Sequence, residues 1–111
     1  MVRAVFVLTR KDSCLKKRFF KTKDEVEVTF ELDKNQWESI KIAGDFNDWQ
    51  PEPMKLVKKS GQFKFKTRLP KEQHIQFRYL LDEVEWENDP QADAYVPNGF
   101  GSDNSVVCTV E

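Results

Sequence analysis

The chain has 111 residues, a formal net charge of −1, and 39% hydrophobic and 33% charged residues. This length corresponds to one domain and excludes a (β/α)₈ barrel, which needs at least roughly 200 residues. The apolar content is enough for one compact core, and the near-zero net charge creates no overall field that would attract nucleic acid or an anionic membrane.

Positive charge is concentrated near the N-terminus. Residues 10–23 include seven Lys or Arg and one acid, Asp12, whereas no Lys or Arg follows Arg78. We interpret the basic segment as a solvated edge strand or tail, with contact to a phosphate-rich partner as the alternative. The apolar run from Ala4 to Leu8 is shorter than the core of a signal peptide, and no stretch approaches the ~20 apolar residues of a membrane span. We therefore expect a cytoplasmic protein with no membrane or nucleic-acid partner.

Apolar and polar residues alternate along most of the chain, which is typical of half-buried β-strands. Four segments show the alternation clearly, at 26–32, 40–42, 63–69 and 75–81. Shorter strands are predicted at 55–58, 84–86 and 106–110, with Ser60-Gly61 as a hairpin turn. Residues 2–9 are a further candidate edge strand, and residues 87–105 have the composition of a loop. Six or seven short strands predict an all-β antiparallel sandwich, and no window predicts an amphipathic helix.

The sequence contains no motif that indicates catalysis or metal binding. Cys14 and Cys108 belong to no CxxC or Cys/His cluster; a disulfide between them is left open, and Cys108 is interpreted as a small core residue. The single histidine, His74, lies on the polar side of a strand, and GxSxG, Walker and GxGxxG motifs are absent. The many acids allow a carboxylate pair for glycoside hydrolysis, but their positions on strand exteriors and in one loop favour a role in solubility. We expect no enzyme activity, no metal and no cofactor.

Two of the three tryptophans lie in or just after turns. Trp37 is predicted to open the strand that contains residues 40–42 and is interpreted as a core or edge packing residue, whereas Trp49 lies within GDFNDWQP and Trp86 follows the turn at Asp82-Glu83. Both turns follow strands, so these two indoles are candidates for one face of the sandwich, with ordinary packing as the alternative. Exposed indoles can stack on the apolar faces of sugar rings. Single-stranded nucleic acid also stacks on aromatic rings but needs a basic groove, and the chain around Trp86 is acidic.

The segments VTFELDKNQWESIKIAGDFNDWQPEPM and QFRYLLDEVEWENDPQADAYVPNGFGSDNSVV resemble the two halves of a carbohydrate-binding module of family 48. This is the early-set, isoamylase N-terminal type, related to the glycogen-binding domain of the AMP-activated protein kinase beta subunit. The order GDFNDW, FRYLLD, WENDP, FGSDNSVV is more specific than any one of these motifs. The chain is especially similar to small stand-alone bacterial members of the family. We expect residues 15–111 to form the carbohydrate-binding domain and residues 1–14 to be an N-terminal extension or edge strand.

This resemblance implies an immunoglobulin-like β-sandwich that binds α-1,4-linked glucans, such as glycogen, starch and maltodextrins, without catalysis. Trp49 and Trp86 match two tryptophans that stack on glucose rings in sugar-binding members. Arg78 matches a basic residue on the strand between them that hydrogen-bonds sugar hydroxyls. Three residues of the last loop match an apolar residue, a hydroxyl residue and an asparagine of the family: Phe100, Ser102 and Asn104.

Two other functions are compatible with the sequence. The first is a protein-interaction module that docks on a glucan-metabolising enzyme without binding sugar itself, using the basic segment or an exposed edge strand. The second is a small hydrolase that acts on glucans. A protein partner that is retained without sugar favours docking, and release of reducing ends from maltoheptaose favours the hydrolase.

Overall fold

The computed structural model describes residues 8–99 and 101–111, and the elements of this part of the chain are ten strands and two 3₁₀ turns. The 3₁₀ turns are Arg10–Asp12 and Asp45–Asn47. The strands are β1 Ser13–Phe19, β2 Glu25–Asp33, β3 Ile40–Gly44, β4 Glu52–Pro53, β5 Lys55–Val57, β6 Gln62–Pro70, β7 His74–Leu81, β8 Glu85–Glu87, β9 Ala94–Pro97 and β10 Asp103–Cys108.

The strands form two antiparallel sheets. The first sheet has the order β1-β2-β6-β5, and the second has the order β4-β3-β7-β10-β9, with β8 paired to β7. The sheets meet through apolar side chains: the rings of Phe30 on β2 and Phe77 on β7 lie edge to face with centroids 4.9 Å apart. The predicted immunoglobulin-like antiparallel β-sandwich is therefore confirmed.

The core follows the period-two pattern of the sequence. On β2 the side chains of Val26, Val28, Phe30 and Leu32 are fully buried, as their alternation with polar residues predicted. Alternate residues of β7 are buried in the same way, so its polar residues point out of the second sheet. Burial of each such side chain stabilises the fold by about 1.5–3 kcal/mol.

Trp37 is also buried, as the sequence predicted. Its burial leaves Trp49 and Trp86 as the two tryptophans available to a surface site. The prediction that Trp37 opens this strand is wrong, because β3 begins only at Ile40.

Three predictions near the C-terminus are wrong. Residues 87–105 are not all loop, because they contain β9 and the start of β10. The last strand ends at Cys108 and not at residue 110. Cys108 is half-buried rather than a core residue, because the buried positions of β10 are Ser105, Val106 and Val107. Both Cys108 and Cys14 are free thiols.

The basic N-terminal segment contains an edge strand, as predicted. β1 pairs with β2 from Ser13 to Phe19 and lies at one edge of the first sheet. Two contacts hold it against the other sheet: Lys17 Nζ lies 2.6 Å from Asp93 Oδ2, and Ser13 Oγ donates to Asp89 Oδ1 at 2.6 Å. Residues 2–7 of the candidate strand at 2–9 lie outside the described residues, and residues 8 and 9 belong to no strand.

No helix in the described ranges is long and apolar enough to cross a membrane.

Asp89 is a buried carboxylate that joins several elements. Besides Ser13, the Tyr79 hydroxyl donates to Asp89 Oδ2 at 2.6 Å and the Gln91 backbone N–H donates to Oδ1 at 2.7 Å. Asp89 is fully buried, and its own backbone N–H donates to Ser105 Oγ at 2.8 Å. The carboxylate therefore connects β1, β7 and the segment before β9, while the backbone N–H of Asp89 connects that segment to β10.

The tyrosine in this network makes the fold sensitive to alkaline pH. Burial, the charge of Asp89 and the hydrogen bond to Asp89 raise the pKa of Tyr79 well above its usual value. The unfolded chain loses this proton near pH 10 while the folded chain keeps it, so the stabilising contribution is complete below about pH 10 and falls as pH rises further. We expect the unfolding free energy, measured in urea from pH 8.5 to 11, to fall more steeply for the wild type than for Tyr79→Phe. Equal slopes would show that Tyr79 has no such role.

Candidate functional site

An open cavity of about 480 Å³ lies on the outer face of the second sheet. Gln76 and Arg78 of β7 form part of it, because they alternate with the buried Phe77 and Tyr79. Its described lining residues are Trp49, Gln76, Arg78, Trp86, Asn98 and Asn104. Four of the six predicted site residues thus line one cavity: Trp49, Arg78, Trp86 and Asn104.

The turn after β3 places Trp49 at the cavity. Asn47 Oδ1 accepts a hydrogen bond from the Gly44 backbone N–H at 2.9 Å, and the Trp49 backbone N–H donates to the Gly44 carbonyl at 2.9 Å. Asp48 and Trp49 both adopt the left-handed conformation, with φ of 56° and 59°. This reversal of the chain turns the half-buried Trp49 back toward β7.

Gly44 is required for the approach of this turn to β7. A Cβ at position 44 would lie 2.5 Å from the Gln76 carbonyl oxygen and 2.9 Å from Phe77 Cβ. Both contacts are shorter than van der Waals separations, and the first is to backbone, which cannot rotate away. Glycine therefore lets the Trp49 turn pack directly against the strand that carries Gln76 and Arg78.

The β7–β8 hairpin places Trp86. Asp82 and Glu83 form its turn with φ of 51° and 65°, and Asp82 Oδ1 accepts hydrogen bonds from the backbone N–H groups of Glu38 (2.8 Å) and Ser39 (3.0 Å). These bonds fix the hairpin to the segment before β3. In the β7–β8 register Trp86 lies opposite Leu80, on the outer face of the sheet, and 40% of its surface is exposed.

Arg78 lies next to Trp86. Its Nη2 donates to the Trp86 carbonyl oxygen at 3.4 Å, while its Nε is buried without a hydrogen-bond partner among the described residues. The guanidinium has five N–H donors, so most of its donor capacity is unused in this arrangement. Arg78 can therefore donate further hydrogen bonds toward the cavity.

Three amide side chains line the cavity and contact one another. Asn104 Nδ2 donates to Gln76 Oε1 at 2.9 Å, and Asn98 Nδ2 contacts Asn104 Oδ1 at 3.3 Å and Ser102 Oγ at 2.8 Å. Ser102 is exposed and joins the wall through Asn98 rather than lining it. Phe100, the sixth predicted site residue, lies outside the described residues.

Gln76 and Asn98 line the cavity but were missed from the sequence. The signal for Gln76 was available, since it lies two residues before Arg78 in a strand of period two and so points to the same face. No comparable signal points to Asn98, because its position depends on the path of the β9–β10 connection. Its backbone N–H donates to the Ser102 carbonyl at 3.0 Å, which closes that connection.

The chemistry of the lining is that of recognition. The described lining residues comprise two indoles, three amides and one guanidinium, and none of these is a general base or a nucleophile near neutral pH. Among residues 8–99 and 101–111 no group of His, Cys, Asp or Glu is placed to hold a metal ion. Such a wall can stack on apolar faces and exchange hydrogen bonds with hydroxyl groups.

The chain matches a family of carbohydrate-recognition domains. The model of the family described as "Glycogen recognition site of AMP-activated protein kinase" matches residues 26–111. The chain therefore belongs to this family, as the resemblance of its motifs predicted. The match begins in β2 and includes every element that contributes a described lining residue to the cavity. No curated protein gives a significant match.

A solved structure with the same fold is the enterobactin esterase FES from Shigella flexneri, determined in the presence of 2,3-dihydroxy-N-benzoyl-serine. The two superpose with a TM-score of 0.68 over 86% of this chain at 13% sequence identity. This chain spans only 32% of the esterase chain. At this identity the similarity shows the fold alone.

Proposed function

We propose that this protein is a non-catalytic module that binds α-1,4-linked glucans such as glycogen, starch and maltodextrins. One observation carries the proposal: Trp49 and Trp86, which are far apart in sequence, line the same open cavity in a chain of a glycogen-recognition family. Packing of the core does not require a tryptophan at position 86, where 40% of the residue is exposed. A surface that stacks on the apolar C–H faces of sugar rings does.

Each residue has a role that follows from its chemistry. The two indoles stack on the C–H faces of successive glucose rings. Arg78 donates to sugar hydroxyls, and Asn104 donates to and accepts from them. Ser102 adds a hydroxyl at the rim, and Phe100 adds an apolar contact in the same loop.

The affinity is modest because the site is open. A cavity of about 480 Å³ on a sheet face covers a few glucose units on one side only. We expect dissociation constants of about 10 μM to 1 mM for maltodextrins.

Co-sedimentation with glycogen tests the proposal. We expect the purified protein to pellet with glycogen, to remain in solution with cellulose, and to be released from glycogen by millimolar maltoheptaose. Maltoheptaose incubated with the protein should yield no new reducing ends, since the described lining residues hold no acid–base pair. Protein that stays in the supernatant with glycogen contradicts glucan binding, and new reducing ends contradict the non-catalytic assignment.

Docking on a glucan-metabolising enzyme is the second candidate, and one feature favours it. β1 is an edge strand whose outer side is not paired with another strand of the described chain. However, Lys17 on this strand forms an ion pair with Asp93 beneath the sheet, and charges that point inward oppose strand addition. A partner captured from lysate equally well with and without maltoheptaose would support docking over glucan binding.

A further inference from the structure

The ring of Trp49 is fixed by a carboxylate of its own turn. Asp45 Oδ1 accepts a hydrogen bond from the indole Nε1 of Trp49 at 3.1 Å. The other oxygen, Oδ2, accepts from the Gln76 backbone N–H at 2.8 Å. One carboxylate therefore connects the indole to β7, the strand that carries Gln76 and Arg78 along the floor of the cavity.

The second indole has no comparable support. Within residues 8–99 and 101–111 no acceptor lies within hydrogen-bond distance of Nε1 of Trp86. The residue as a whole is 40% exposed, and Arg78 contacts its backbone carbonyl rather than its ring nitrogen. The two tryptophans thus differ: the N–H of Trp49 donates to Asp45, whereas the N–H of Trp86 has no hydrogen-bond partner among the described residues.

We propose that Asp45 is a positioning residue that holds the Trp49 ring in its sugar-stacking orientation before any ligand arrives. The inference rests on the proposed glucan-binding function. A side chain already held in one rotamer loses little freedom on binding, and ordering a mobile one lowers affinity by about 2- to 10-fold. It follows that Trp49 contributes a stacking face only, whereas Trp86 contributes a stacking face and a hydrogen-bond donor.

A matched pair of isosteric variants isolates this role. Asp45→Asn keeps the shape of the side chain but removes its charge and leaves one acceptor oxygen for two N–H donors, so the indole N–H of Trp49 either loses its bond or keeps a weaker, uncharged one. Asp48→Asn removes the same charge from the same turn, and the side chain of Asp48 makes no hydrogen bond or ion pair with any described residue. Asparagine also tolerates the left-handed conformation of position 48, where φ is 56°.

The first measurement needs no sugar. The chain has three tryptophans and so gives three indole N–H signals in a ¹⁵N-correlated NMR spectrum, and the signal lost in Trp49→Phe belongs to Trp49. We expect Asp45→Asn to shift this signal and speed its hydrogen exchange, while the other two indole signals stay in place. Asp48→Asn should leave all three unchanged. An unaltered Trp49 signal in Asp45→Asn overturns the proposal.

The second measurement is affinity for maltoheptaose in two backgrounds. Asp45→Asn should weaken binding by about 2- to 10-fold in the wild-type background and less than about 2-fold in Trp49→Phe, which lacks the indole N–H. An equal loss in both backgrounds shows that Asp45 does not act through Trp49 and overturns the proposal. If the wild type binds no maltoheptaose, or Trp49→Phe binds too weakly to measure, the sugar-free spectra decide the role of Asp45. Failure of wild-type binding alone counts against the proposed function.

Discussion

We expect Trp86→Ala to remove measurable α-glucan binding while the domain stays folded. The exposed indole adds little to the core, so its loss should change the free energy of unfolding by less than about 1 kcal/mol. Central aromatic residues of binding sites contribute about 2 kcal/mol or more, which is a loss of at least about 30-fold in affinity. From a starting dissociation constant of 10 μM to 1 mM, this places binding of maltoheptaose at or beyond the limit of calorimetric titration.

Val84 provides the control for this variant. It lies in the same hairpin as Trp86, is 67% exposed, and does not belong to the described lining of the cavity. Val84→Ala should bind maltoheptaose with wild-type affinity and melt at the wild-type temperature. Wild-type affinity in Trp86→Ala would show that the cavity is not the glucan site.

Trp49→Ala should lose binding to a similar extent, with a larger effect on stability. The ring of Trp49 is half-buried, and its removal also leaves one oxygen of Asp45 without its indole donor. Thermal melting of the two alanine variants should therefore rank Trp49→Ala below Trp86→Ala. Both should retain the cooperative transition of a folded domain.

The largest loss of stability is expected from Asp89→Ala. The change leaves three donors without an acceptor: the buried hydroxyls of Ser13 and Tyr79, and the part-buried backbone N–H of Gln91. Each unsatisfied buried group costs about 1–3 kcal/mol, and hydroxyl rotation recovers part of this, so we expect a total loss of about 3–5 kcal/mol. A domain of this size has only about 5–15 kcal/mol of stability in total.

Urea denaturation measures this loss directly. Asp103→Ala is the matched control, because Asp103 is exposed and its side chain makes no hydrogen bond or ion pair with any described residue. That substitution should stay within about 0.5 kcal/mol of the wild type. An Asp89→Ala variant as stable as the wild type would show that the carboxylate does not hold β1 to β7.

The core strands could be predicted because a two-residue period is a local property of the sequence. Val26, Val28 and Phe30 follow it without interruption. β1 breaks it, because Lys17 occupies an inward-facing position and is stabilised there by Asp93, 76 residues away. β9 could not be predicted for a different reason: it has only four residues, lies at a sheet edge and ends in Pro97.

The candidate site was predictable in its residue types and not in its geometry. A tryptophan in or just after a turn is a candidate for a surface role whatever the rest of the fold is. This is why Trp49 and Trp86 could be selected from the sequence. Their proximity depends on the pairing of β3 and β8 with β7, which no local pattern specifies. The role proposed for Asp45 could not be predicted from the sequence, because it depends on the hydrogen-bond partners that the folded turn brings within reach.

The most direct test of glucan recognition is an NMR titration of the ¹⁵N-labelled protein with maltoheptaose and, separately, with cellohexaose. We expect maltoheptaose to shift the indole N–H signal of Trp86 most, together with backbone signals around Trp49 and Arg78, and cellohexaose to leave these signals in place. No shift at millimolar maltoheptaose, or equal shifts with both sugars, would contradict α-glucan recognition at this cavity.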